Sequence, residues 1–476
     1  MLGQKQASAA ASRRAGWGRV ALGLCAWVGL TGAAPIHAET ISQALVNAYL
    51  ANPDLNQQRA NVRVVDENVS RANAGFRPRV NASASVGRQY SDIRQSSSSA
   101  SAGSIRGFTT PRTVGLQAQQ TLFDANRTFN SVRQAESQVL GARESLRVTE
   151  QNILSSAASN YMNVLRDTAI LNLRRSNIAV LVEQLRQTRD RFQVGEVTRT
   201  DVAQAGAGLA QARSDYFAAQ ANLQASLASY RQVVGAEPRR LEPAQSVERL
   251  LPRRLTDAVE VSQVEHPAIV SSLHNVDVAQ LAVHIAEAGL LPTVTLNGSV
   301  TDAFESQGVP GSRAFNAAIL GQINVPIYQG GAEYAQIRQA KEQVSQSRLN
   351  ADLVRDQVRA ALVTAWGQLE SSKAQIASGQ AAVAAAEIAL SGIREEARVG
   401  QRTTFDILNA QQVLLNTRVN LVTAQRDRVV ASYAVLAAMG RLSADRLALN
   451  VNTFDPTVHF DQVKDKLFGV RTPDGR

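Results

Sequence analysis

The chain is written twice. Residues 41–86 align without a gap on 255–300, sharing Pro53/Pro267, Val62/Val276, Ala74/Ala288, Gly75/Gly289, Pro78/Pro292 and Val80/Val294. Residues 122–235 then align without a gap on 327–440, where Arg133-Gln134-Ala135 matches Arg338-Gln339-Ala340. Such a duplication constrains the fold more than any composition figure, because both halves must suit the same architecture. The alignment offset falls from 214 to 205 between the two blocks, so the first half carries nine extra residues. They fall in a Ser-rich stretch between Gln95 and Ser104, a loop context in which insertion is cheap. The reading is a first repeat over 39–254, a second over 255–440 and a tail over 441–476.

Each repeat opens with two helices. Thr40 to Leu50 and Leu255 to Val264 have short amphipathic patterns that end at Asn52-Pro53 and His266-Pro267. Asp54 to about Gly75 and Ala268 to Gly289 follow, each closed by Gly and then Pro. After Pro78 and Pro292 the period changes to two. Val80, Ala82, Ala84 and Val86 oppose Asn81, Ser83 and Ser85, and Val294, Leu296, Gly298 and Val300 oppose Thr295, Asn297 and Ser299. Alternation returns at Val114, Leu116 and Ala118, and again at Ile319, Gly321, Ile323 and Val325, giving four strands within about 79–122 and 293–327. An ordinary sheet with one wet face and a membrane barrel with a polar lumen share this pattern. Four strands fall short of the roughly eight that close a barrel. A barrel would therefore need several chains, since an open strand edge in lipid leaves backbone groups unsatisfied.

The long helices follow. Asn126 to Val194 contains no proline and spans about 100 Å at roughly 1.5 Å per residue. Its stripe of Val132, Ala135, Val139, Ala142, Leu146, Thr149 and Ile153 repeats in phase as Ile337, Ala340, Val344, Ser347, Ala351, Val354 and Val358, a coiled-coil seam of small residues. Each helix reaches a turn, Val194-Gly195-Glu196-Val197-Thr198-Arg199-Thr200-Asp201 or Val399-Gly400-Gln401-Arg402-Thr403-Thr404-Phe405-Asp406, and returns through a shorter partner. Gly195 and Gly400 suit a left-handed helix end, while Thr198 and Thr403 can cap the next helix with Asp201 and Asp406 three residues on. The hairpins cover 126–235 and 332–440.

Composition narrows the function. Residues 1–38 read as a signal peptide: Lys5, Arg13, Arg14 and Arg19 precede an apolar run from Val20 to Leu30, and Ile36-His37-Ala38 suits cleavage before Glu39. The only cysteine, Cys25, lies in that leader behind Leu24, so neither lipidation nor a thiol site is expected in the mature chain. Removing the four leader cations lowers the formal charge from +10 to +6, without the basic, aromatic-studded stripe that nucleic acid requires. No later run of 18 or more apolar residues suggests a membrane helix. Nucleophile–base pairs, phosphate loops and metal clusters are not apparent, and His266, His274, His284 and His459 read as surface or packing residues; no enzyme, cofactor or metal is expected.

The paired helix-Asn/His-Pro-helix openings, the strands after Gly-x-x-Pro and both Val-Gly-x-x-Thr-x-x-Asp turns resemble the TolC family of outer-membrane efflux and type I secretion channels, over nearly all of the mature sequence. Phe454-Asp455-Pro456 with Leu467-Phe468-Gly469 also resembles the subfamily tied to type I secretion, although a tryptophan common there is absent. The resemblance implies a fold that is mainly α with a transmembrane β part. It implies a homotrimer whose chains share a 12-stranded barrel in outer-membrane lipid, continued by an α-helical tunnel into the periplasm. Partners would be a periplasmic adaptor and an inner-membrane ABC or RND transporter, with no nucleic acid.

Carried over by position, the second turn would form the periplasmic gate. Asp406 matches a carboxylate ring that constricts the pore, and Asn409 stands where some members place a second carboxylate. Arg402 matches a basic residue that latches onto an acid of the neighbouring turn, here Asp201 beside Thr200. Ala397 replaces a tyrosine that helps that latch in some members. On the residues alone, Asp201 and Asp406 are also simply helix-start charges. The alternative function is a periplasmic coiled-coil adaptor or scaffold, a class with one hairpin and an inner-membrane anchor. The cargo, proteins or small toxic compounds, is not written in the sequence; the missing lipidation cysteine and the C-terminal segment incline toward secretion.

Overall fold

The computed structural model describes residues 39–94, 104–306 and 308–475. The leader over 1–38 and most of the Ser-rich stretch lie outside the described residues. Local chemistry explains why each repeat opens as it does. Helix α1 (Ile41–Ala51) starts at Thr40, whose hydroxyl accepts from Gln43 N, and stops where Asn52 turns extended. Asn52 then caps α2 (Pro53–Asn73), its carbonyl accepting from Asp54 N and Leu55 N, with Pro53 supplying the preset φ of a first helical residue. In the second repeat, α5 (Leu255–Glu265) meets α6 (Pro267–Glu287) at His266, whose Nδ1 accepts from Ala268 N at 3.2 Å. The elbows are the same; the capping side chain is not.

Among the described residues six strands form, not four. β1 (Arg79–Val86), β4 (Arg112–Phe123), β5 (Thr293–Phe304) and β6 (Arg313–Asn324) make one antiparallel sheet in the order β1-β4-β5-β6. β2 (Gln89–Arg94) and β3 (Ser104–Thr109) pair separately, beyond a break where Gly87 N donates to the carbonyl of Pro111. This second hairpin was not read from the sequence, because Tyr90 and Phe108 share one face with Asp92 and Arg106 while Ile93 and Ile105 share the other with Ser91 and Gly107, leaving no apolar–polar contrast between the faces. Val325 lies just past the end of β6. The register puts Val80 beside Ala118, Ala118 beside Gly298 and Gly298 beside Ile319, so the apolar residues of all four strands share one face. That face is bare: Val114 is 63% and Ile319 79% exposed. Both edge strands, β1 and β6, are open.

The long helices α3 (Arg127–Gln193) and α7 (Ala332–Arg398) have 67 residues each, and return through α4 (Arg199–Val234) and α8 (Thr404–Ala438). The anticipated seam alternates between buried and half-buried: Ala135, Val139, Leu146 and Ile153 are buried on α3, and Ile337, Val344, Ala351 and Val358 on α7. One expectation is corrected here. Among the described residues, α7 is long and apolar enough by length and composition to cross a membrane. Its hydropathy comes from an Ala-rich stretch around Ala381–Ala386 with single Gln and Glu residues, not from a continuous bulky run.

The two repeats do not pack apart. A shared core joins α1, α2, α3, α4 and α8 around Leu45, Leu55, Leu154, Tyr161 and Tyr230. The Tyr161 hydroxyl shares its single proton between the carbonyls of Glu39 (2.8 Å) and Glu242 (2.7 Å), fastening the linker between repeats to the start of the first repeat. The tail returns as well. Phe454 N donates to the Tyr49 hydroxyl at 3.0 Å, and α9 (Pro456–Val463) sets His459 Nδ1 2.9 Å from the fully buried Asp66.

Candidate functional site: the hairpin turns

Both turns are built from the chemistry of their sequence. Gly195 and Gly400 each take φ of +80°, which L side chains reach only with strain. Glu196 N then donates back to the carbonyl of Arg191, and Gln401 N to that of Glu396, closing each long helix. The return helices start with complete capping boxes. Thr198 N donates to Asp201 Oδ2 at 2.9 Å while Asp201 N donates to Thr198 Oγ1 at 3.3 Å; Thr403 N and Asp406 Oδ2 lie 3.0 Å apart, with the reciprocal bond again 3.3 Å.

These bonds fix the carboxylates. The backbone N–H and hydroxyl of Thr403, with Arg402 adding positive charge, hold the Asp406 carboxyl below its ordinary range, so it is ionised at neutral pH. Asn409, one turn on, is exposed and neutral, as is Thr200 beside Asp201.

Arg402 is placed differently from the expected latch. Within the chain its Nε donates to Glu396 Oε2 at 2.7 Å, across its own turn, whereas Asp201 is engaged by Thr198. Glu396 was missed from the sequence. Its signal was the alignment itself: Glu396 falls on Arg191, which pairs with Glu196 at 3.0 Å. Each turn thus carries one bracing ion pair, with the polarity reversed. Ala397 is buried in the core of the second hairpin with Leu390 and Ile407.

The hairpins also touch near their tips. Leu408 of α8 packs on the first hairpin's cluster of Leu181, Leu185, Ala205 and Leu209, and a Cβ at Gly208 would lie 3.8 Å from its Cδ2. Gln411 Nε2 lies 3.4 Å from Asn177 Oδ1, a buried polar residue on α3. Neither contact was legible beforehand, since Leu408 is one apolar residue among many. A groove between α3 and α7 at this end is lined by Glu183, Gln187, Arg191, Arg394 and Arg398. No group of three or more metal-ligating side chains occurs among the described residues.

A bare apolar sheet face joined to long helical hairpins suits a channel protein of the outer membrane, and comparison with known proteins places the chain in that class. The family model for outer membrane efflux proteins matches residues 41–236 and 259–441, and the chain belongs to that family. It is 43% identical over 447 residues to the outer membrane efflux protein BepC of Brucella suis biovar 1, covering 94% of this chain and 95% of that one. It is 25% identical over 432 residues to the outer membrane protein TolC of Escherichia coli K12, covering 87% and 85% of the two chains. The solved structure of the outer membrane protein VceC of Vibrio cholerae superposes with a TM-score of 0.70 over 84% of this chain and 96% of that one, at 22% identity, which shows a common fold. Family members are channel proteins, not enzymes.

Proposed function

We propose that three copies of this chain close one barrel in the outer membrane and continue it as a helical tunnel into the periplasm, exporting cargo with a periplasmic adaptor and an inner-membrane ABC or RND transporter. The observation that carries this is the four-stranded sheet: two open edges, one bare apolar face and one polar face. Three such sheets joined edge to edge supply twelve strands and leave no backbone group unsatisfied in lipid. The efflux in BepC's name supports efflux as the mode of export.

The second turn is the gate in this proposal. Three Asp406 carboxylates brought to one axis attract cations and resist anions, and Asn409 leaves the ring single. Arg402, held by Glu396 in the lone chain, exchanges that partner for Asp201 and Thr200 of a neighbouring chain when the gate is shut. Planar-bilayer conductance of the purified protein tests this beside the double variant Arg402→Ser/Asp406→Ala. A small cation-selective current that grows severalfold and loses selectivity in the variant is expected. An identical current in both would remove the gate from this turn, and a soluble protein without current would favour the adaptor or scaffold alternative.

A further inference from the structure

The polar face of the four-stranded sheet holds a single ionised side chain, and it stands at one end. Arg79 opens β1 on the same face as Asn81, Ser83 and Ser85, level with Gln119 on β4, Asn297 on β5 and Leu320 on β6. Leu320 apart, every other residue on that face is Asn, Gln, Ser, Thr, Gly or Ala. The sheet's remaining charges, Arg112, Asp302 and Arg313, lie on the opposite, apolar face at the far end, where Arg313 Nη2 meets Asp302 Oδ2 at 2.8 Å. Arg79 is exposed and forms no ion pair among the described residues. Its counterpart in the second repeat is Thr293, so the duplication places one arginine per chain, not two.

We propose that Arg79 is the charge-selecting residue of the barrel. On the trimeric-channel reading above, three guanidinium groups ring the periplasmic mouth of an otherwise uncharged lumen and favour passage of anions and of cargo bearing carboxylate, phosphate or sulfonate groups. Facing away from the apolar side, the guanidinium meets water in the lumen, where a low-dielectric wall strengthens its field. The ring and Asp406 lie at opposite ends of α7, roughly 100 Å apart at about 1.5 Å per residue. That exceeds the Debye length of about 10 Å at 0.1 M salt many times over, so the two filters act independently and with opposite sign.

The test is the reversal potential of the purified protein in a planar bilayer under a KCl gradient near 0.1 M. Arg79→Gln is expected to shift it toward stronger cation preference. Asp406→Ala should shift it toward anions, and Arg79→Gln/Asp406→Ala should lie between the two single variants. Arg79→Lys, which keeps the charge, should restore the parent value. In a Cys25→Ser background, Arg79→Cys should lose current in up to three steps on adding an anionic methanethiosulfonate. Reversal potentials unmoved by Arg79→Gln in both backgrounds, or a thiol that the reagent leaves conducting fully, would overturn the proposal while the channel stands. Absence of current from every protein would overturn the channel reading and this inference together.

Discussion

The first turn, 194–201, and the second, 399–406, share a glycine at φ +80° and a reciprocal Thr–Asp capping box, yet the ion pairs that brace them run in opposite directions. Arg191 holds Glu196 in one, and Glu396 is held by Arg402 in the other. The elbows repeat the lesson: Asn52 caps α2 through its amide, and His266 caps α6 through its ring. Duplication preserves what the backbone demands, a left-handed residue and a side-chain acceptor at a helix start. Exposed charges cost little to change, so the second turn was free to take on the gate role proposed for it and the second elbow a titratable ring.

The largest effect that would sharpen this comparison is the severalfold rise in conductance expected of Arg402→Ser/Asp406→Ala. Next comes the elbow. Burial, with Arg147 nearby, pushes the His266 pKa from 6.5 down to about 4. Between those values the unfolded chain binds the extra proton, so stability is full above pH 6.5 and is lost as pH falls toward 4. At about 1.4 kcal/mol per pH unit, the loss is about 3 kcal/mol. His266→Asn, which copies the first elbow, should keep the cap and flatten this dependence; thermal unfolding across pH 4–7 reads it, and an unchanged slope would reject the assignment.

Contacts between the hairpins come third. Leu408→Ala removes a half-buried side chain from the first hairpin's cluster and should cost about 1–2 kcal/mol, with more frequent openings in single-channel records. Records matching the parent would remove Leu408 from the closed state. Smallest is the pair Thr198→Ala and Thr403→Ala. Each should lower stability by about 1 kcal/mol through loss of an N-cap. Thr403→Ala should also weaken cation selectivity more than Thr198→Ala does, because it frees the Asp406 carboxylate; equal selectivity changes would mean that the two turns are functionally alike.

Much was legible before any coordinates. The seam of α3 and α7, both glycine turns, the capping boxes and the sheet's apolar face are local or periodic properties, and local chemistry decides them. The β2–β3 hairpin escaped because its few apolar residues are divided between the faces, Tyr90 with Phe108 on one and Ile93 with Ile105 on the other, so neither face stands out in the sequence. The pairing of Arg402 with Glu396, Leu408 against Gly208, and His459 on the buried Asp66 join residues that no period links. Asp66 shows the cost involved: burial raises its carboxyl pKa while His459 and Arg143 oppose the rise, a balance set by which helices surround it. The sequence by itself determined the repeat, its helices and strands, and the backbone of its turns, because those rest on dihedral preference, capping and side-chain period. Only the tertiary structure decided which charges meet, which side chain fills the space between the hairpins, and that Arg79 stands alone on the polar face of the sheet, since each depends on register and packing between segments far apart in the chain.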